Sequence, residues 1–479
     1  MGKKNIIEKD NENFHRLERS NDLDILINRI GDSQFVLLGE ASHGTCEFYK
    51  WRTEITKRLI NEKEFSFIAV EGDWPDCYKI NRYIKGFPDS GQNAYDILYS
   101  FNRWPTWMWA NKEMVELVEW LKLYNVKQQQ EKEQNHSLTS NFDGKIVGFY
   151  GLDLYSLWES MEAIIQYLKK VDSNAIKDAI EAYNCFEPYK KDVENYARAS
   201  AFVPENCEDE VIELLSSLRS KVNLYCKNDH GKIEEDYFNA EQNAITAKDA
   251  ELYYRTMIKG DVNSWNIRDT HMMEILERII AFHGKDNSKG IVWAHNTHIG
   301  DARATDMSKD NMINLGQLVR ERKNSNNTVL VGFGTYKGSV IAAKRWGDKM
   351  EEMKVPSAIS ESWDNILHNI KNNSTIANSY TNNNNKLIIF SHTDDDINNK
   401  IEIENDNSSN KINNGKWRGQ RAIGVVYNPQ YEKYGNYVPT ILPLRYDAFL
   451  FIDETHALHP LHMPTIDDED FPETFPTGV

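Results

Sequence analysis

The feature that most constrains this chain is a series of short apolar runs that mostly do not alternate with polar residues. They are Val36–Leu38, Phe67–Val70, Ile146–Tyr150, Ile291–Trp293, Val329–Phe333, Leu387–Phe390, Ile423–Tyr427 and Phe449–Ile452. A strand covered on both faces needs apolar side chains in both orientations, so such runs predict strands buried between helices. Helix-like segments lie between several of them. "TCEFYKWRTEITKRLINE" and "KEMVELVEWLKLYN" place apolar residues three and four apart. Strand, helix, strand repetition predicts an α/β fold with a largely parallel mixed sheet flanked by helices.

One block breaks the rhythm. From 156 to 284 only helical patterns occur, among them "WESMEAIIQYLKKV" and "DEVIELLSSLRSKVNLY". The expected organisation is therefore a first part of the α/β core over 20–155, an inserted all-helical cap or bundle over 156–284, and a second part of the core over 285–455. The alternative for the middle block is a set of helices that covers one sheet face. Polar "NVKQQQEKEQNHSLTSNFDG" (125–144) and the Asn-rich stretches 371–385 and 395–414 read as inserted surface loops.

Composition excludes several partners. With 56 Lys+Arg against 73 Asp+Glu, the net charge of −17 repels a phosphate backbone, and no basic stripe overrides it. No nucleic acid is expected. The apolar runs fall far short of the ~20 residues of a membrane span, and residues 1–20 are polar throughout. A cytoplasmic protein with no membrane contact is the expectation. Five cysteines, odd in number and without a CxxC, suggest free thiols in a reducing compartment. Oligomeric state is not legible.

In open α/β sheets, ligands bind outside the carboxyl ends of the strands. Glu40 and His43 follow the first run, Glu71 and Asp73 the second, Asp153 the third, and His295 and His298 the fourth. Four strand ends that each carry a carboxylate or an imidazole point to one site. Glu40 and His43 are three residues apart, as are His295 and His298, a spacing that shares a face on a helical turn. Gly39 and Gly44 would allow a tight strand-to-helix turn. A carboxylate that holds an imidazole fixes its tautomer and raises its basicity, so that it takes a proton from water. Glu40 or Glu71 is the candidate to orient His43. Arg52 is a candidate to neutralise a carboxylate or an oxyanion. Trp104, Trp107 and Trp109 offer apolar surface to a large ligand, or core. His456, His459 and His462 read as structural.

There is no GxSxG elbow, no GxxxxGK[ST] and no HExxH. A histidine-activated water remains. A metal-dependent version would use Glu40, His43, His295 and His298 as ligands, and a pure binding protein is the third reading.

"GEASHG" (39–44), "AVEGDWPD" (69–76), "WPTWMW" (104–109), "YGLDLYS" (150–156), "NIRDTHM" (266–272), "VWAHNTHIGDAR" (292–303), "NLGQLVRER" (314–322) and "GFGTYKGSVIAAKRWG" (332–347) occur in that order. This ordered set resembles the erythromycin esterase family, which includes proteins named for succinoglycan biosynthesis. The resemblance implies hydrolysis of a macrolide lactone by an activated water, with no covalent acyl-enzyme, no cofactor and no obligatory metal. It places the family's catalytic residues on Glu40, His43, Arg52, Glu71, His295 and His298. Arg268 and Asp269 fall where cleft structure or substrate contact is expected, with Asp153 and Trp107 as further substrate contacts.

Overall fold

The chain is described here from a computed structural model covering residues 14–134, 146–189, 195–196, 198–199, 206–221, 225, 232–257, 261–285, 288–323, 325–370, 384–390 and 417–463. Nine strands form one mixed sheet: β1 (Phe14–Arg16), β2 (Phe35–Leu38), β3 (Phe67–Asp73), β4 (Gly148–Asp153), β5 (Gly290–Trp293), β6 (Thr328–Ala343), β7 (Met350–Val355), β8 (Lys386–Ile389) and β11 (Ala448–Thr455). Their order is β1-β8-β11-β6-β2-β5-β3-β4, with β7 paired to the far end of β6. The central pairs β11/β6, β6/β2, β2/β5, β5/β3 and β3/β4 are parallel. β1/β8, β8/β11 and β6/β7 are antiparallel. A separate ribbon pairs β9 (Arg418–Arg421) with β10 (Tyr437–Thr440).

The parallel strands are covered on both faces, as the unbroken apolar runs require. Every residue of β2, β3, β4 and β5 is buried. On one face lie α1 (Asp24–Ile30), α2 (Cys46–Lys63), α3 (Trp74–Ile84), α4 (Ala94–Tyr99) and α5 (Lys112–Gln134), packed on Val36, Leu38, Ile68, Val70 and Ile291. Pro75 sits in the first turn of α3, where its missing N–H costs nothing. The other face carries α6 (Leu157–Val171), α7 (Ile176–Phe186), α8 (Glu208–Ser220), α9 (Lys232–Met257) and α10 (Asp261–Phe282), packed on Leu37, Ala69, Tyr150, Leu152 and Val292. The helical block is thus a bundle that shares one continuous core with the sheet, and no strand interrupts it among the described residues.

Several expectations need correction. Ile423–Tyr427 is not a strand. It makes single bridges, Ile423 against Ser42 and Val426 against Ala343, and so fills a seam beside the loop that leaves β2. Residues 125–134 are not loop, because the straight-chain Lys, Gln and Glu of "VKQQQEKEQ" favour helix and extend α5 to Gln134. Asn125 is buried and bonds the backbone of Ile84 and Val147. Residues 135–144 and 395–414 lie outside the described residues, as does 371–383. The cysteines are not all free: α7 ends beside the start of α8, and Cys185 and Cys207 form a disulfide there. Cys46 and Cys77 are free and buried, and Cys226 lies outside the described residues. No helix among the described residues is long and apolar enough to cross a membrane.

Candidate active site

The four strands that end in the candidate residues follow one another in chain order, and in space they are neighbours, β2-β5-β3-β4. Their carboxyl ends therefore converge. Gly39 leaves β2 so closely that a Cβ there would meet Asn296 Oδ1 at 2.1 Å, and at Gly44 it would meet the Ile341 carbonyl oxygen at 1.9 Å. These two contacts fold the Gly39–Gly44 segment tightly against β5 and β6. The segment is a turn rather than the helical turn its spacing suggested, and α2 begins only at Cys46.

That turn brings His43 Nδ1 to 2.9 Å from Glu40 Oε1. Arg52, fully buried on α2, donates from Nη2 to Glu40 Oε2 at 2.7 Å. Its guanidinium lies 4.3 Å from the Tyr49 ring and 4.6 Å from the Trp293 ring. Of the two carboxylates considered for His43, Glu40 is the one bonded to it. Arg52 stands behind Glu40 and does not line the cavity.

Glu71 belongs to a second group. The β3/β4 register shifts between Val70 and Asp73, and this bulge falls on Glu71 and Gly72. Glu71 Oε1 accepts from Arg268 Nη2 at 2.7 Å, and Glu71 Oε2 accepts from the His295 backbone N–H at 2.8 Å. Arg268, from α10, also grips Asp153 through Nε at 3.0 Å and Nη2 at 2.7 Å. His295 caps the short helix α11 (Asn296–Ile299), His298 lies within it, and the two side chains diverge. The His295 ring packs 4.9 Å from that of His43, and its Nδ1 faces Thr297. His298 turns away, with Nδ1 at 2.9 Å from Asp269, Nε2 at 3.3 Å from Glu71, and its ring stacked on Trp265 at 4.6 Å.

Charge in this group is settled by its partners. Burial opposes ionisation of Glu71, but His298, Arg268 and His43 hold its carboxyl well below the usual range. Burial likewise opposes a charged His298, yet Asp269 and Glu71 hold its imidazolium up to about 9. His295 is pushed well below the ordinary imidazole value by burial and by His43, so it stays neutral.

A cavity of about 120 Å³ opens on this assembly. Of the expected residues, His43, Glu71, Asp153 and Arg268 line it, whereas Arg52, Glu40, His295 and His298 lie behind. Trp107 does not reach it: its side chain is buried in the core on the α2 face, in contact with Trp104. Trp109 and the largely exposed Trp346 form aromatic walls instead. Asp73, Arg103 and Tyr155 also line the cavity. Asp73, one strand position from the bulge, pairs with Arg103, and burial still lifts its carboxyl to about 7. Tyr155 packs on the Arg268 guanidinium at 4.9 Å. Asp73 already stood among the strand-end acids and Tyr155 lies within "YGLDLYS", whereas Arg103 sits in a loop with no pattern to mark it.

The four ligands of the metal-dependent reading do not bring their donor atoms together. Each imidazole Nδ1 is engaged, by Glu40, Thr297 or Asp269 respectively.

The sequence model of the erythromycin esterase family matches residues 60–455. The chain belongs to that family. Solved structures agree on the fold of this erythromycin esterase family member. A succinoglycan biosynthesis protein is 20% identical with TM-score 0.66, over 95% of this chain and 97% of its own. A Bacillus cereus protein is 19% identical with TM-score 0.65, over 95% and 98%. The erythromycin esterase EreC, a mutant in its open conformation, is 14% identical with TM-score 0.60, over 92% and 95%.

Proposed function

We propose that the protein is an ester hydrolase acting on a cyclic or simple carboxylic ester through a water activated by His43. The observation that carries this reading is the relay from Arg52 through Glu40 to His43, with the imidazole at the cavity and the other two groups buried behind it. Glu40 accepts the Nδ1 proton, which leaves Nε2 as the acceptor for a proton from water. The hydroxide so formed adds to the carbonyl carbon, and the oxyanion is held by the Arg268 guanidinium, which lines the cavity beside Glu71. His43 then returns the proton to the leaving alkoxide, which gives acid and alcohol. His298, as an imidazolium, fixes Glu71 and so fixes Arg268.

Two side chains that would suit a covalent route are unsuited here. Ser42 Oγ is spent on Thr45, and burial pushes the Cys77 thiol far above its ordinary value. This supports direct attack by water. Drug-sized ligands occupy pockets of ~300–1,000 Å³, so a cavity of about 120 Å³ suits a small ester as it stands. A macrolide needs the walls at Trp109 and Trp346 to part. The test is a panel of lactones graded by ring size, assayed by mass spectrometry for products heavier by one water. Product from small lactones supports the reading, and no product from any ester removes it.

A further inference from the structure

Away from the cavity, the segment 456–462 that follows β11 is sewn across two helix starts. Cys46 N–H donates to the His456 carbonyl at 2.9 Å, Leu458 N–H to Gly44 at 3.0 Å, Lys112 N–H to His459 at 2.9 Å, and Leu461 N–H to Ala110 at 2.9 Å. These bonds fix three side chains from three elements around one point. Cys46 Sγ lies 3.1 Å from Glu113 Oε1, and His459 Nδ1 lies 2.6 Å from the same oxygen. All three donor atoms fall within 4.8 Å of one another. Cys46 and Glu113 are buried, while His459 is exposed and leaves one side of the cluster open to solvent.

We propose that Cys46, Glu113 and His459 form a binding site for a zinc-class divalent ion. One sulfur, one imidazole nitrogen and one carboxylate oxygen are a donor set that a borderline-soft tetrahedral cation accepts, and the hard cations Ca²⁺ and Mg²⁺ do not choose sulfur. Tetrahedral coordination at zinc–ligand lengths of ~2.0–2.3 Å separates ligand atoms by about 3.3–3.5 Å. The two separations to the Glu113 oxygen, 3.1 and 2.6 Å, reach this by opening less than about an ångström each. On binding, the Cys46 thiol loses its proton to solvent, the His459 proton moves from Nδ1 to Nε2, and water fills the fourth position. Lys50, exposed one turn along α2, also reaches the Cys46 sulfur and swings out to solvent when the ion enters. Without an ion, burial and then Glu113 push the Cys46 thiol up to about 12, so the cluster is not a nucleophilic thiolate. The bound ion would staple the segment after β11 to the starts of α2 and α5, three residues from His43.

The test is a titration of the full chain with Co²⁺, without thiol reductant so that Cys185–Cys207 stays closed. Sulfur-to-cobalt charge-transfer absorption reports thiolate ligation directly. The expected result is one equivalent bound with that absorption, loss of the absorption in Cys46→Ser, and at least tenfold weaker binding in His459→Ala, which keeps the backbone bonds of the segment. His43→Ala should titrate like the parent, which separates this site from the catalytic one. The proposal is overturned if no such absorption saturates at one equivalent, if it persists in Cys46→Ser, or if His459→Ala binds like the parent.

Discussion

Glu40 Oε1 lies 2.9 Å from His43 Nδ1, and the other oxygen of the same carboxylate is taken by Arg52. A carboxylate bonded on both oxygens cannot rotate, so the imidazole it holds has one tautomer and one orientation. Glu40→Gln keeps the size and loses the charge. It should lower kcat by about 10²–10⁴, the range of a general base's contribution, with KM little changed. Steady-state kinetics on any accepted ester checks this. A kcat within a few-fold of the parent contradicts the relay.

Arg52 is a buried cation whose one ionic partner among the described residues is Glu40. Arg52→Ala leaves Glu40 buried without that partner, a change that costs about 3–5 kcal/mol when one member of such a pair is removed. Denaturant unfolding should show that loss. Arg52→Lys should recover only part of it, because a lysine cannot keep the planar contacts with Tyr49 and Trp293.

His298 carries the pH dependence that the site predicts. Its folded value is about 9, above the ordinary 6.5, because Asp269 and Glu71 outweigh burial. A raised histidine stabilises the fold fully below its unfolded value and loses that contribution as the pH climbs through the folded one. Stability should therefore decline between pH 6.5 and about 9. His298→Asn should flatten the curve across that window, as measured by thermal unfolding at a series of pH values.

Arg268→Gln removes the guanidinium that grips Glu71 and Asp153 at the cavity wall. Loss of an oxyanion partner costs about 10²–10³ in kcat. The same variant of Arg103, paired with Asp73 at the cavity edge, should act on KM instead. Parallel kinetics of the two variants distinguish these roles.

Trp346 is exposed and leans on Trp104 at 4.4 Å over the cavity mouth. Trp346→Ala should raise kcat/KM for bulky esters relative to small ones. An unchanged ratio would mean that this wall does not set substrate size.

The parallel core was legible because buried strands leave continuous apolar runs, and the site because its residues sit directly after them. What the sequence hid has physical causes. β7 reads "MEEMKV", a partly exposed edge strand with little apolar signal. Trp107 and Trp109 are two residues apart and equally aromatic, yet only Trp109 turns to the cavity. Arg52 was left between a carboxylate and an oxyanion because sequence distance does not reveal that α2 carries it behind Glu40. Arg103 and Tyr155 come from loops whose course depends on tertiary packing. The disulfide joins two cysteines 22 residues apart, Cys185 on α7 and Cys207 just before α8, with no sequence pattern to pair them.

The measurement that tests the central claim most directly is the product mass from one accepted lactone, with the parent protein and His43→Ala assayed side by side at equal folded concentration. The account predicts a product heavier by one water from the parent and turnover reduced by at least about 10² in the variant. A variant that opens the lactone at close to the parental rate would contradict it.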